Sequence, residues 1–231
     1  MILSAEEVDV VLLSLKVAFW SMVLTLPVAI ALAWLLSRRD FWGKSLLDAA
    51  VHLPLVLPPV VVGYALLLLF GRNGPIGRLL DELFGVSIAF AWEGAAVAAA
   101  VMGLPLAVRT IRLSFDAIDR RLEHAARTLG ATRWDTFLVI TLPLALPGIL
   151  AGLVLSFARG LGEFGATITF VSNIPGETRT LPLAEYTYLQ QPGSEEPALR
   201  LAVLSVILAF AALLAAEHVN RALARRLGVA K

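Results

Sequence analysis

Long apolar stretches dominate the chain, and five of them are long enough to cross a membrane. They cover residues 10–36, 46–70, 89–108, 137–158 and 199–219. Crossing a hydrocarbon core of about 30 Å takes roughly 20 helical residues. Bare backbone amides are costly in lipid, and the alternating segments of a β-barrel are absent, so the pattern predicts helices. We therefore expect an all-α integral membrane protein of five or six transmembrane helices, forming a single domain over residues 1–231.

A sixth apolar stretch, residues 160–172, is short and rich in glycine. Its pattern is compatible with a half-span, a re-entrant segment or a continuation of the fourth helix. If it crossed the membrane fully, the chain would have an even number of crossings and the two termini would lie on the same side. We expect five crossings.

Basic residues are concentrated on alternate connections between the spans. The loops 37–45 and 109–136 and the C-terminal tail together hold thirteen of the nineteen lysines and arginines. They are Arg38, Arg39, Lys44, Arg109, Arg112, Arg120, Arg121, Arg127, Arg133, Arg221, Arg225, Arg226 and Lys231. Short loops rich in Lys and Arg stay in the cytoplasm. We therefore expect a multi-pass membrane protein with the N-terminus outside and the C-terminus in the cytoplasm.

Composition narrows the function classes. The chain is 58% hydrophobic and 16% charged, has a net charge of +1 and contains no cysteine. The small net charge gives no support for nucleic-acid binding, and thiol catalysis and cysteine metal sites are excluded. The three histidines fall on separate elements, and the chain has no phosphate-binding loop with its lysine. We expect a non-catalytic membrane subunit that binds no metal or cofactor itself.

Prolines interrupt the predicted second and fourth spans. Pro54, Pro58 and Pro59 lie in the second, and Pro143 and Pro147 in the fourth. Proline removes a backbone hydrogen bond and kinks a helix. The pattern fits ordinary kinking for helix packing, and it equally fits broken helices that line a polar pathway, as in many transporters.

The loop 109–136 is long, charged and patterned for a helix over about residues 116–130. Apolar positions recur at helical spacing from Ile118 to Leu129, and Gly130 follows as a helix stop. Thr132 and Asp135 then form a capping-box pattern for the next helix. A helix lying on lipid headgroups is one interpretation. The narrow, alanine-rich stripe favours the other, which is close approach of a second protein.

This loop resembles the cytoplasmic coupling motif of ABC-importer permeases. The motif reads Glu-Ala-Ala, three residues, Gly, nine residues, and Ile-x-Leu-Pro, about a hundred residues from the C-terminus. The matching positions are Ala125, Ala126, Gly130, Ile140 and Pro143, with His124 at the Glu position and Glu123 before it. The resemblance implies a type I importer bundle whose coupling helix docks on an ATP-binding subunit.

Two further segments narrow the resemblance to molybdate-type permease subunits. They are His52-Leu-Pro-Leu-Val-Leu-Pro-Pro-Val-Val-Val-Gly-Tyr64 and the run from Gly160 to Thr180, which contains Gly-Glu-Phe-Gly. Sulfate and tungstate permeases are similar in the second segment. The resemblance implies alternating access, a homodimer, an ATP-binding subunit dimer that carries ATP and Mg, and an external molybdate-binding protein.

An oxyanion needs a path lined by hydrogen-bond donors, because an unpaired divalent charge in hydrocarbon is very costly. Hydroxyls and free amides at interrupted helix ends suit this purpose. The candidate pathway residues are Pro58, Pro59, Gly160, Gly162, Gly165, Thr167 and Thr169. Glu163 would repel such a cargo, so we expect it to pair with Arg159, one helical turn earlier.

Two alternatives stay open from the sequence. One keeps the transport machine and changes the cargo to sulfate, thiosulfate or tungstate. The other is a passive channel or a membrane scaffold without an ATPase partner. The coupling motif disfavours the second alternative, because a scaffold has no need of Gly130 and its flanking alanines.

Overall fold

The computed structural model describes residues 4–226, which form helices and their connections without any strand. Lys231, assigned above to the basic tail, lies outside the described residues. The helices are α1 (Ala5–Arg38), α2 (Lys44–Val56), α3 (Pro59–Phe70), α4 (Pro75–Phe84), α5 (Trp92–Ala117), α6 (Arg120–Thr128), α7 (Arg133–Thr136), α8 (Leu142–Leu161), α9 (Gly165–Val171), α10 (Leu181–Leu189) and α11 (Glu195–Arg226). A π-helical turn, Phe137–Thr141, joins α7 to α8. The all-α membrane fold predicted from the sequence is confirmed.

Helix α5 is the centre of the bundle and packs between α1 and α8. Of its most apolar window, 61% is buried, against 28% for α1 and 11% for α11. Its contact faces are built from small residues, among them Ala95, Ala98 and Ala99, all fully buried. Small side chains let helix backbones approach closely, which is the main source of packing energy between helices in lipid.

The predicted second span is broken rather than straight. Helices α2 and α3 meet at an angle of 114°. Leu57 is extended at the end of α2, with ψ 142°, and Pro58 and Pro59 follow at the start of α3. A residue before proline avoids the helical region, and each proline lacks the N–H that would continue the ladder. The stretch 46–70 is therefore two helices, not the continuous helix that its apolar length suggests.

Four helices are long and apolar enough to cross a membrane, and the bent pair brings the number to five. The fourth crossing runs from Arg133 to Leu161 through the π-helical turn. The stretch 160–172 instead contains a break and the seven-residue helix α9. At 1.5 Å per residue, α9 is only about 10 Å long, so it does not cross the membrane.

Ion pairs connect helix ends on the side of the bundle opposite the basic loops. Glu7, which is 1% exposed, pairs with Arg200 at the start of α11 at 3.1 Å. Glu6 pairs at 2.9 Å with Arg179, in the connection before α10. Ser4 and Glu7 also form a capping box that starts α1. The N-terminus of α1 is thereby tied to α10 and α11 on this side of the bundle.

Candidate functional site

The candidate coupling helix is α6, and both of its ends are defined by local sequence. The side chain of Asp119 accepts a hydrogen bond from the Arg121 amide at 2.9 Å and starts the helix. At the other end, Gly130 has φ +94°, a left-handed conformation that glycine adopts without steric cost. The amides of Gly130 and Ala131 bond back to α6 carbonyls, which is the Schellman pattern of a helix terminus.

The bounds of α6 differ from the expected 116–130. Helix α5 continues to Ala117, so Asp116 is in α5 and not in the first turn of the coupling helix. Ile118 ends α5 and is 9% exposed, packed in the core below α1 and α8. The apolar stripe predicted from Ile118 to Leu129 is therefore split: Ile118 belongs to the bundle core, and the later apolar positions belong to α6 and its C-terminal end.

The outer face of α6 has no partner among the described residues. Leu122 is 49% exposed and Leu129 is 89% exposed. His124 and Ala125 are exposed, and Ala126 is half-buried. An exposed apolar face of this kind, on the side of the basic loops, is suited to contact with another protein.

Glu123 points the other way, into the bundle. Its Oε1 lies 2.9 Å from Nη2 of Arg38, the last residue of α1. The same oxygen accepts a hydrogen bond from the Thr141 hydroxyl at 2.9 Å. Glu123 therefore connects α6 to α1 and to the segment that carries Ile140 and Pro143. This contact brings the two halves of the coupling motif together, and the sequence alone did not assign it.

Pro143 accounts for the π-helical turn. Proline has no N–H, and its ring clashes with the carbonyl four residues earlier. The Leu142 amide instead bonds to the carbonyl of Phe137, five residues back, so the helix widens by one residue before the proline. Pro143 is exposed and Ile140 is half-buried, and neither lies on α6. The Ile-x-Leu-Pro element therefore shapes the π-helical turn whose last residue, Thr141, donates a hydrogen bond to Glu123.

The capping box predicted at Thr132 and Asp135 is confirmed. The Asp135 amide bonds to the Thr132 hydroxyl, and the Asp135 carboxylate accepts from the Thr132 amide at 3.0 Å. The cap defines where the fourth crossing begins, directly after α6.

The pairing of Glu163 with Arg159 is also confirmed. Glu163 is 2% exposed and its Oε2 lies 2.7 Å from Nη2 of Arg159. Its other oxygen accepts from the Ala166 amide at 2.8 Å, so it caps α9 at the break after α8. The Glu163 carboxylate thereby connects Arg159 of α8 to the first turn of α9.

Helices α3 and α9 approach to backbone contact. A Cβ placed on Gly63 would lie 2.5 Å from the Ala166 carbonyl oxygen, and one on Gly165 would lie 2.7 Å from Cβ of Pro59. Only glycine fits at these two positions. The break after α2, at Pro58 and Pro59, is thus brought against the start of α9.

The other candidate pathway residues are distributed differently. Gly160 packs against Ser21 of α1, and Thr167 is 1% exposed in the core. Gly162 is exposed, with open space where a Cβ would be. The Thr169 hydroxyl donates to the carbonyl of Gly165 within its own helix. The structure therefore joins Pro59, Gly165 and Thr169 at the α3–α9 contact. Pro58 directly precedes this contact, and Gly160 lies at a separate contact with α1.

A polar cluster that the sequence analysis did not single out lies between α2 and α5. Arg112 contacts Asp48 at 3.1 Å and Asp116 at 3.7 Å. His52 Nδ1 lies 3.3 Å from the Asp48 carboxylate. The i, i+4 spacing of Asp48 with His52 and of Arg112 with Asp116 was the available signal. Only the tertiary fold shows that the two pairs meet.

Comparison with known proteins agrees with this architecture. The chain is 58% identical over 228 residues to the molybdenum transport system permease protein ModB of Escherichia coli K12, covering 99% of this chain and 100% of that protein. It is 42% identical over 183 residues to the E. coli K12 sulfate transport system permease protein CysT, covering 79% of this chain and 65% of that one.

Among solved structures, a bacterial ABC transporter involved in import of the acidic polysaccharide alginate has the same fold. The TM-score is 0.74 at 19% identity, over 95% of this chain and 80% of that one. Residues 25–226 match the family of binding-protein-dependent transport system inner membrane components. The match covers most of the chain, including α6 and everything after the first twenty residues of α1. The chain therefore belongs to this family of inner membrane components.

Proposed function

We propose that this chain is the permease subunit of an ATP-driven importer that moves molybdate into the cytoplasm by alternating access. The observation that carries the proposal is the 58% identity to the ModB permease along the whole chain. The lower identity and coverage of the sulfate permease favour molybdate over sulfate. The chain itself is not catalytic.

The energy for transport comes from a separate ATP-binding subunit dimer, which carries ATP and Mg. The exposed apolar face of α6, with Leu122 and Leu129, supports docking of that partner. Closure of the ATPase dimer pushes on α6. Through Glu123, the movement reaches α1 at Arg38 and the fourth crossing at Thr141.

The cargo passes between two copies of the chain, on their two-fold axis, after delivery by an external molybdate-binding protein. Broken helices support this route, because interrupted helix ends carry the partial positive charge that stabilises an anion without a fixed charged trap. The α3–α9 contact at Pro59 and Gly165 would form the outer part of the path. Glu163 does not repel the cargo there, since Arg159 neutralises it.

The protein lies in the bacterial inner membrane, with the basic loops and the C-terminus in the cytoplasm. The distribution of Lys and Arg supports this orientation. Membrane lipid covers the outer faces of α1 and α11, where large apolar side chains are exposed.

Uptake of molybdate at nanomolar concentration tests the proposal, in cells with and without the gene and with sulfate in large excess. Loss of molybdate uptake on deletion, unaffected by sulfate, is expected. Unchanged molybdate uptake together with impaired sulfate, thiosulfate or tungstate uptake would reassign the cargo. Failure of an ATPase subunit to co-purify after detergent extraction would contradict the ATP-driven machine and favour a passive channel or scaffold.

A further inference from the structure

An arginine-lined cavity of about 230 Å³ lies between the end of α1, the coupling helix and the π-helical turn. Its walls carry five arginines and a single carboxylate, Glu123. The arginines are Arg38, Arg39, Arg120, Arg127 and Arg133. This excess of positive charge is gathered from three separate elements.

The arginines of the cavity are only partly satisfied by the protein. Arg127 and Arg133 are exposed and make no ion pair among the described residues. Arg120 donates to the backbone carbonyl of Ser37 at 3.1 Å and forms no ion pair among the described residues. Arg39 lies over the ring of Trp34, with its guanidinium carbon 5.7 Å from the ring centroid.

Arg38 is the most deeply buried arginine whose hydrogen-bond donors are incompletely paired in this cavity. Its side chain is 7% exposed, and its ion pair with Glu123 uses only Nη2. The buried Nε has no hydrogen-bond partner within residues 4–226. Burying a guanidinium with an unpaired N–H is costly, and native proteins avoid it unless another group completes the site. The single carboxylate of Glu123, which also accepts from Thr141, does not balance the charges and N–H donors of the five arginines.

We propose that the cavity binds a phosphate-class oxyanion group, with the arginines as its ligands. Guanidinium groups are suited to this, because their fork of N–H donors matches two oxygens of a tetrahedral anion. Two sources carry that chemistry: the headgroup of an anionic phospholipid in the cytoplasmic leaflet, and a free oxyanion in the cytosol. The assignment of this side to the cytoplasm rests on the proposed function.

The surroundings of the cavity connect it to the membrane. Trp34 and Phe137 form an apolar wall, and the neighbouring Leu138 and Val139 are 54% and 73% exposed. An acidic headgroup can enter from this side while its acyl chains cover the exposed apolar residues. Basic pockets next to transmembrane helices on the cytoplasmic side are a known mode of headgroup binding.

The bound anion would affect the coupling between the ATPase and the transmembrane helices, because the cavity lies between α6 and the ends of α1 and α7. An anion bound by Arg38, Arg127 and Arg133 would link α1, α6 and α7 by bridges that do not depend on Glu123. It would thereby stabilise the docked position of the coupling helix.

The lipid arm of the test uses the permease–ATPase complex in nanodiscs made of equal parts phosphatidylglycerol and phosphatidylcholine. Native mass spectrometry after detergent exchange measures which lipid stays bound. We expect preferential retention of phosphatidylglycerol and a decrease of about tenfold in the Arg127→Gln/Arg133→Gln variant, because charge-assisted contacts are lost. Neither arginine has a described partner, so the variant keeps its fold. The Arg72→Gln/Arg78→Gln variant removes the same charge from exposed positions outside the cavity and is expected to retain the lipid.

The free-anion arm measures binding of radiolabelled inorganic phosphate to the complex in phosphatidylcholine alone, by equilibrium dialysis. Phosphate binding that the Arg127→Gln/Arg133→Gln and Arg38→Gln variants abolish would identify a free oxyanion as the source. If neither phosphatidylglycerol nor phosphate binds in an arginine-dependent way, the proposal is overturned. If the double variant instead releases the ATPase and no anion binds, these arginines are ATPase contacts and the proposal also fails. Molybdate uptake is measured separately, so a wrong cargo does not affect either arm.

Discussion

Removal of the Glu123 carboxylate is the sharpest perturbation that the structure suggests. Glu123→Ala leaves Arg38 buried and unpaired, while Thr141 keeps an alternative acceptor in the Thr136 carbonyl at 3.4 Å. The cost therefore comes mainly from Arg38. The two side chains of the pair are 7% and 20% exposed.

The expected magnitude lies between two known limits. An exposed ion pair is worth less than about 1 kcal/mol. Breaking a fully buried pair costs about 3–5 kcal/mol. Because Glu123 is one-fifth exposed and borders a solvated cavity, we expect a cost of about 2 kcal/mol. This corresponds to roughly a 30-fold increase in the population in which α6 is detached from the bundle.

Hydrogen exchange of the α6 backbone amides measures that population directly, since local opening limits their exchange. The assay uses the nucleotide-free complex in nanodiscs. Glu123→Ala should accelerate exchange in α6 by about 30-fold. Glu123→Gln should have a smaller effect, because its oxygen still accepts from Thr141. The matched control is Glu82→Ala, at an exposed glutamate on α4. Exchange in α6 as slow as in the unmodified chain would refute the structural role given to Glu123.

Three further predictions concern backbone geometry and capping. Gly130→Ala should lower the free energy of unfolding by about 1 kcal/mol, because alanine is strained at the positive φ of this position. The control is Gly162→Ala, where an added Cβ also meets open space but φ is −94°. Thermal unfolding should show no loss of stability for this control. Gly63→Ala should lower the free energy of unfolding by about 1–3 kcal/mol by overpacking, because its Cβ would lie 2.5 Å from the Ala166 carbonyl oxygen. Molybdate uptake should fall together with stability. Full uptake and unchanged stability would contradict the α3–α9 contact. Asp135→Ala should lower the free energy of unfolding by about 1 kcal/mol, because the capping box with Thr132 is lost. Thermal scans measure this loss, and an unchanged midpoint would show that the cap does not contribute to stability.

Much of the fold follows from local sequence signals. Apolar length located the crossings, and the capping residues Thr132 and Asp135 together with Gly130 marked where the coupling region stops and the fourth crossing starts. The Glu163–Arg159 pair was predictable from its i, i+4 spacing and from the cost of a lone charge in lipid. Each of these signals acts over a few residues, and this is why sequence reasoning could find them.

The remaining features depend on contacts between distant segments. Consecutive prolines at 58 and 59 are compatible with a mild kink or a sharp break, and the 114° angle is set by how α3 packs on α9. The link from Glu123 to Arg38 and Thr141 joins three elements far apart in the chain. The short helices α4 and α10 were not predicted, although α4 begins at Pro75 and ends before Gly85, which has φ +65°.

The central position of α5 has a consequence for how the protein is made. It is the least apolar of the four long spans and also the most buried. A helix surrounded by other helices does not need a lipid-compatible surface on all sides, but it meets the membrane before α8 has been synthesised. Its insertion must then be assisted by α1, which leaves the ribosome first and offers the small-residue face that α5 uses in the finished bundle. The order of the helices along the chain is thus also an order of assembly, in which α1 prepares a place for the more deeply buried α5.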